Sequence, residues 1–325
     1  MNFQQLRYVR ETVRQGLNLT EAAKKLFTSQ PGVSKQIREL ENELGVEIFV
    51  RLENELGVEI FVRHGKRIVA VTEPGKAVVE VIERLLQEAE NLKQVGREFK
   101  DQAAGTLTIA TTHTQARYSL PKVVGAFKRR YPRVHLTIKQ GNPPQLAEMV
   151  IAREADMAIA TEALDNYPKL IALPGYEWRH CVVVPAKHPL AKEQRLTLEM
   201  LARYPVVTYD PAFAGRSRID EAFQAQGLTP DIVLSAVDSD VIKTYVELGL
   251  GIGVIAAMAF DEKRDRHLRA LEAGHLFGTM TTRVAVRRGA ALRGYAYTFI
   301  ELFSPRLSRK LIETALAGKA ETYEL

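Results

Sequence analysis

The stretch LTEAAKKLFTSQPGVSKQIR, residues 19–38, decides how the N-terminal part folds. Apolar residues recur there at helical spacing, first Ala22, Ala23 and Leu26, then Val33 and Ile37. Thr20 and either Thr28 or Ser29 are suitable N-caps, and Pro31 falls in the first turn of the second helix, where its missing N–H costs nothing. Ala23 is a small side chain where two helices would cross. Gln30, Ser34, Lys35 and Arg38 remain outward, offering hydrogen-bonding groups to base edges and cations to phosphates. The pattern is that of a helix-turn-helix, although a three-helix packing module with a hydrated basic face would share it.

Working outward, Phe3, Leu6, Val9 and Val13 predict a preceding helix, and Leu40 and Leu44 extend the last one. The β-branched runs IFVR (60–63) and IVAV (68–71), separated by HGK, predict a two-stranded wing carrying Arg63, Lys66 and Arg67. Between them lies an anomaly: LENELGVEIFVR occupies residues 40–51 and again, unchanged, residues 52–63. With no third copy a solenoid is excluded, leaving a single in-frame duplication. Continuing the helix through it would turn the register by about 1200°, an offset of about 120°, and Gly45 and the strand-prone VEIFV oppose that. An extra excursion is expected between about Gly45 and Leu56.

Thr72 and Pro74 open a long helix running to about Gln102, with Val78, Ile82, Leu85, Ala89, Leu92, Gly96 and Phe99 at alternating steps of four and three. Such a seam packs either on its own domain or on a second copy of the chain, and the second copy is preferred. Beyond Gly105 strand-like and helix-like segments alternate, from TLTIATT and SLPKVVGAFKRRY to TRVAVRR. That alternation implies a largely parallel sheet covered on both faces, here as two linked α/β lobes.

Composition narrows the function. The 325 residues are 46% apolar and 26% charged, typical of globular domains, with a net charge of +6. The first 38 residues hold seven basic side chains against two acidic ones, so the positive end suits a polyanion. Cys181 is the only cysteine, which excludes an intrachain disulfide and any Cys-based zinc or iron–sulfur site and fits a reducing cytoplasm. The N-terminus has no signal-like apolar core, and the apolar run LGLGIGVIAAMAF is too short for a bilayer, so no membrane segment is expected. GLGIG at residues 249–253 follows a helix and leads into a strand, the reverse of the dinucleotide-binding order. His180 and Cys181 are neighbours and point to opposite faces of a strand, and no HExxH or GxSxG exists. Neither a cofactor nor a metal is expected.

One cluster remains. Thr111, Thr112, His113, Thr114 and Gln115 follow a strand and precede a helix, the place where ligands bind in α/β sheets. Hydroxyls, an amide and free backbone N–H groups suit a small anion, unless the threonines only fill a strand end and cap a helix.

On MNFQQLRYV, TSQPGVSKQIRELE, the wing with VTEPG, TIATTHTQARYSLP, ADMAIATEAL, GRSRIDEAF and SDVIKTYVELGLGIGVIA, the chain resembles the LysR-type transcriptional regulators. Within them it is similar to the CysB-like activators of sulfur assimilation and cysteine biosynthesis. The resemblance implies an α/β protein with a winged helix-turn-helix at residues 1–71, a linker and dimerisation helix at 72–104, and a two-lobed, periplasmic-binding-protein-like effector domain at 105–325. Lobe I would span about 105–175 and 280–325, and lobe II about 176–279. Thr28, Ser29, Gln30, Pro31, Ser34, Lys35 and Arg38, with Arg63, Lys66 and Arg67 of the wing, would bind DNA. Thr112, Thr114, Gln115 and Thr161 would line the effector pocket, faced by Trp178, Tyr209 and Ala214, the last standing where the family commonly has threonine. The implied partners are double-stranded operator DNA, RNA polymerase, further copies of the chain in a dimer or tetramer, and an effector such as O- or N-acetylserine, sulfate or thiosulfate. The competing readings are a small-anion solute-binding protein without DNA function and an enzyme using His113, which has no carboxylate near it in sequence.

Overall fold

The computed structural model describes residues 1–51, 68–100 and 103–317, which fall into two compact units, Met1–Gly96 and Arg97–Leu325. The first unit opens with α1 (Phe3–Arg14), α2 (Leu19–Lys25) and α3 (Gln30–Leu44). Asn2 and Gln5 form a capping box on α1, Asn18 rather than Thr20 caps α2, and Ser29 caps α3. Asn18 displaces Thr20 because its carboxamide reaches two free N–H groups, those of Thr20 and Glu21. Leu6, Val9, Leu19, Ala23, Val33, Ile37 and Leu40 close the core between the three helices.

Helix α2 ends in a Schellman motif. The Phe27 N–H donates to the Lys24 carbonyl and the Thr28 N–H to the Ala23 carbonyl, which puts Phe27 at φ 52°. Glycine is the usual occupant, and a side chain there costs about 1 kcal/mol. Leu17, also left-handed at φ 66°, recovers that cost by packing on the core. The Phe27 ring is 98% exposed.

Gly45, left-handed at φ 68°, ends α3, and the chain turns at once into β1 (Phe49–Arg51), antiparallel to β2 (Ile68–Val71). Phe49 lies opposite Val71 and Arg51 opposite Ile68. The described strand that pairs with β2 therefore comes from the first copy of the repeat, and no excursion begins at Gly45; residues 60–63 lie outside the described residues. The cause is Glu41, buried on α3, whose carboxylate accepts the Ile48 and Phe49 N–H groups at 2.8 and 3.1 Å. That helix is already anchored in the core by Ile37 and Leu40, so its carboxylate captures the first IF pair that follows it. Residues 52–67, with Arg63, Lys66 and Arg67, lie outside the described residues.

Helix α4 (Glu73–Lys100) starts against the wing: Thr72 donates its N–H to the Ile48 carbonyl, and a Cβ on Gly75 would come within 2.0 Å of that same oxygen. The VTEPG glycine is thus required by close approach. The apolar seam divides. Ile82 and Leu86, with Val78 and Val79, pack into the core of the first unit, while Val81, Leu85 and Leu92 face outward, Leu92 at 75% exposure. Gly96 and Phe99 have no described side-chain placement.

The second unit contains β3 (Ala104–Thr111), a π-helical turn (Gln115–Ser119), α5 (Leu120–Arg130), β4 (Arg133–Gln140), α6 (Pro143–Ile151), β5 (Met157–Thr161) and β6 (Leu170–Pro185). It continues through α7 (Leu198–Leu201), β7 (Val206–Tyr209), α8 (Ala214–Ala225), β8 (Ile232–Ala236), α9 (Ser239–Glu247), β9 (Ile252–Ala256), β10 (Leu268–Glu272) and α10 (Gly274–Phe277). It closes with β11 (Thr279–Arg287), α11 (Gly294–Phe303) and α12 (Arg309–Leu316). The strands run β4-β3-β5-β11-β6-β9-β7-β8, with β10 paired to β6 off this path.

Within each lobe the pairs β3–β4, β3–β5, β7–β8 and β7–β9 are parallel, but β11 is antiparallel to β5 and β6, and β6 is antiparallel to β9 and β10. The sheet is therefore mixed rather than largely parallel, because two long strands, β6 and β11, cross between the lobes in opposite directions. The first half of β6, LIALPGYEWRH, hides from pattern reading behind Pro174 and Gly175. There the β6–β11 register shifts, and Gly175 gives room to the Phe303 ring, 2.8 Å from where a Cβ would sit. Period-two alternation fixes the layers: Leu107, Ile109, Met157 and Ile159 face α5, α11 and α12, while Ala110, Ala158 and Ala160 give α6 a shallow seat. No described helix is long and apolar enough to cross a membrane.

Candidate functional site

On α3, Val33 and Ile37 point into the core, and this turns Pro31, Lys35 and Arg38 outward, with Thr28 and Ser29 exposed just before the helix and Gln30 and Ser34 half-buried. The Ser29 hydroxyl accepts the Gly32 N–H at 3.3 Å, so part of its capacity serves the helix. The face joins amide, hydroxyl and cationic groups on a rigid rod, as groove reading requires.

In the second unit the ends of β3, β5 and β7 and the starts of three helical segments surround a cavity of about 40 Å³. Thr112, Thr114, Gln115, Pro143 and Thr161 line it from one lobe, and Tyr209, Phe213, Gly215, Val237 and Ala256 from the other, with Trp178 on the crossing strand β6. Six of the seven sequence-named pocket residues, Thr112, Thr114, Gln115, Thr161, Trp178 and Tyr209, are brought together here. The seventh, Ala214, opens α8 directly before Gly215, the residue of that turn in the lining.

No lining side chain is charged. Polar contact is supplied by hydroxyls and by the start of α8. Gly215 lies in the first turn of α8, which has no side-chain cap, whereas α6 offers no such donor, since Pro143 and Pro144 carry no N–H and the Gln145 N–H is bound to Asn142. The Trp178 indole N–H is buried without a hydrogen-bond partner. Gly215 owes its identity to crowding, since a Cβ there would meet His180 Nε2 at 3.2 Å, Tyr209 at 3.5 Å and Trp178 at 3.6 Å.

Two residues of the Thr111–Gln115 cluster also brace the fold, and Gln115 does so while lining the cavity. Gln115 is buried, its Oε1 accepting from Tyr176 and its Nε2 donating to Thr282, so it ties the helix start to both crossing strands. Thr111 donates its hydroxyl to the Ile159 carbonyl at 2.8 Å. Tyr209 is held by Ser239 and by the Ala256 N–H, and burial pushes its phenol up to about 12. Beneath Trp178, burial depresses His180 to about 4, while Cys181 on the opposite strand face is pushed up to about 12 by the same cause. Neither is a charged or reactive group at neutral pH.

A polar network joins the lobes beside the cavity. Tyr118 donates to Asp240 at 2.6 Å, and Arg117 pairs with the other oxygen of that carboxylate at 2.7 Å. Lys243 donates to Tyr118, to the Ala259 carbonyl and to Asp265 at 3.1, 2.8 and 3.0 Å. Burial lowers the Lys243 pKa, but its bonds to Tyr118 and Asp265 outweigh that and hold it above its ordinary value. Sequence reading missed this network because the bonds that join its two halves, Tyr118 to Asp240 and to Lys243, span 122 and 125 residues. His113 stands 3.9 Å from Asp240, beyond hydrogen-bonding distance, and that carboxylate is already engaged, so no catalytic relay forms. His113, Asp238 and Asp240 could together approach a metal, but Asp238 caps α9 and Asp240 is paired with Arg117.

Residues 3–52 match the family described as bacterial regulatory helix-turn-helix protein, lysR family, and residues 100–308 match the LysR substrate binding domain. The chain is 59% identical over 325 residues to the HTH-type transcriptional regulator CysB of Burkholderia cenocepacia, covering all of both chains. It is 57% identical to the regulator SsuR of the same species over 98% of each. The cofactor-binding domain of the Cbl transcriptional regulator superposes with a TM-score of 0.64 at 48% identity, over 66% of this chain and 93% of that one. These likenesses join a helix-turn-helix head to a LysR substrate binding domain, and the chain accordingly belongs to the LysR family of transcriptional regulators, with CysB, SsuR and Cbl among its relatives.

Proposed function

We propose that the chain controls genes of sulfur assimilation and cysteine biosynthesis and that its effector is a sulfur oxyanion or an acylated serine held between the two lobes. The observation that carries this reading is the uncharged cavity fronted by the uncapped start of α8 and lined by Thr112, Thr114 and Thr161. Helix N-termini and hydroxyls favour an anion without demanding a full counter-charge. Thr28, Ser29, Gln30, Pro31, Ser34, Lys35 and Arg38 read double-stranded operator DNA, with Arg63, Lys66 and Arg67 adding wing contacts. The protein works in the cytoplasm with RNA polymerase as its downstream partner. Domains divide at about residues 71 and 104. Dimers or tetramers cover the outward stripe of α4 at Val81, Leu85 and Leu92, and the exposed apolar face of lobe II at Val237, Val241, Tyr245 and Leu248.

Trp178, the only tryptophan, makes the test direct. Sulfate, thiosulfate, O-acetylserine and N-acetylserine are titrated against the full chain by fluorescence, and operator fragments by gel shift over a salt range. Saturable quenching by one of these ligands that moves the DNA affinity supports the reading. Thr112→Val should weaken that ligand by about tenfold or more, the worth of one hydrogen bond to a charged group. No quenching by any of the four, or no salt-sensitive DNA binding, defeats it.

A further inference from the structure

We propose that Phe27 is a base-reading residue whose ring packs on the methyl groups of thymines in the major groove; this rests on the reading of α3 as the DNA-binding helix. Of the large apolar side chains recorded as exposed among the described residues, Phe27 is the most exposed, at 98%. It occupies the left-handed position of the α2 Schellman motif at φ 52°, where glycine or asparagine sits without strain. The fold has no use for the ring: Leu26, one residue earlier, supplies the hydrophobic contact of this turn to the core. Leu17, in the same backbone region, is packed, and Phe27 is not. A bulky apolar side chain held at an unfavourable dihedral and left wholly in water points to an occupant the isolated chain lacks.

Position identifies that occupant. Phe27 stands two residues before Ser29, the N-cap of α3, with exposed Thr28 between them and exposed Lys24 and Lys25 just before the turn. The N-terminal end of such a helix enters the groove, and the surrounding lysines complement phosphates. A phenyl ring has no hydrogen bond to offer a base edge. The one apolar group that the major groove presents is the thymine C5-methyl, so the ring adds apolar readout to a face otherwise built of polar and cationic groups.

The full chain is used to select duplexes from a random pool, and each thymine of the selected half-site is then replaced singly by deoxyuridine, which removes only the methyl. Wild type, Phe27→Asn and Arg38→Ala are compared by fluorescence anisotropy at fixed salt, with thermal melts of each. Phe27→Asn is expected to melt no lower than wild type and to bind the selected duplex about 4- to 15-fold more weakly, the worth of one or two buried methyl contacts. At one or two positions, deoxyuridine should cost the wild type a similar factor and Phe27→Asn nothing. Unchanged affinity of Phe27→Asn overturns the proposal. So does a deoxyuridine penalty equal in both proteins, which would place the ring on the sugar–phosphate backbone. If the wild type enriches no duplex, the DNA-binding reading itself fails; if it enriches one that depends on Arg38 and not on Phe27, only the present assignment falls.

Discussion

Acidification should weaken the effector domain through one residue, His180. The ring is 1% exposed, with Trp178 4.9 Å and Phe277 5.5 Å away between ring centres, and burial holds its pKa at about 4 against an ordinary 6.5. The folded protein thus binds fewer protons than the unfolded chain between these values. The stabilisation this residue contributes is complete above pH 6.5 and is lost as pH falls toward 4. Linkage gives a loss of about 2 kcal/mol from pH 7 to pH 5, approaching about 3 kcal/mol at lower pH. Urea unfolding of the full chain, followed by Trp178 fluorescence, isolates this domain because no other tryptophan is present. His180→Leu removes the titration while keeping an apolar filling of similar size, so its stability should fall less over the same pH range by that amount. Parallel pH dependences for the two proteins would refute the reasoning, since carboxylates titrate in both.

Lys243→Met should cost about 3 kcal/mol in a thermal or urea melt, because it leaves the Asp265 carboxylate without its cation and the Ala259 carbonyl without its Lys243 donor; adding Asp265→Asn should recover part of it, and strict additivity would count against the network. Glu41→Ala leaves the buried Ile48 and Phe49 N–H groups without their acceptor and should destabilise the head by about 2–4 kcal/mol, seen as an earlier melting step that leaves the Trp178 signal in place. Removing residues 52–63 yields the same chain as removing 40–51, since the copies are identical. The shortened protein should keep its head stability and bind operator DNA more tightly than the full chain, and equal affinity in a gel shift would retire that expectation.

Much of the site was legible. Thr112, Thr114 and Thr161 stand out because strand ends in α/β sheets are where helix starts and free N–H groups gather. Gly215 follows the same rule, as a first-turn residue of the uncapped α8, and a stricter use of it would have found it. The Tyr118–Lys243–Asp265 network was not legible, because hydrogen bonds across 125 and 22 residues leave no periodic trace. Gln115 shows the limit from the other side: its residue type suggested a place in the cavity lining, which it has, but not the bonds by which its amide holds Tyr176 and Thr282.

By itself the sequence determined the helix-turn-helix, the long helix after the wing and the alternation of strands and helices, since spacing, caps and β-branched runs act over a few residues. Which of two identical dodecamers builds the wing, which half of the α4 seam is buried, and how β6 and β11 turn two parallel halves into one mixed sheet were decided only in three dimensions. Local propensity is equal for equal sequences. The choice fell to Glu41, whose helix was already fixed in the core and whose carboxylate had two backbone N–H groups within reach.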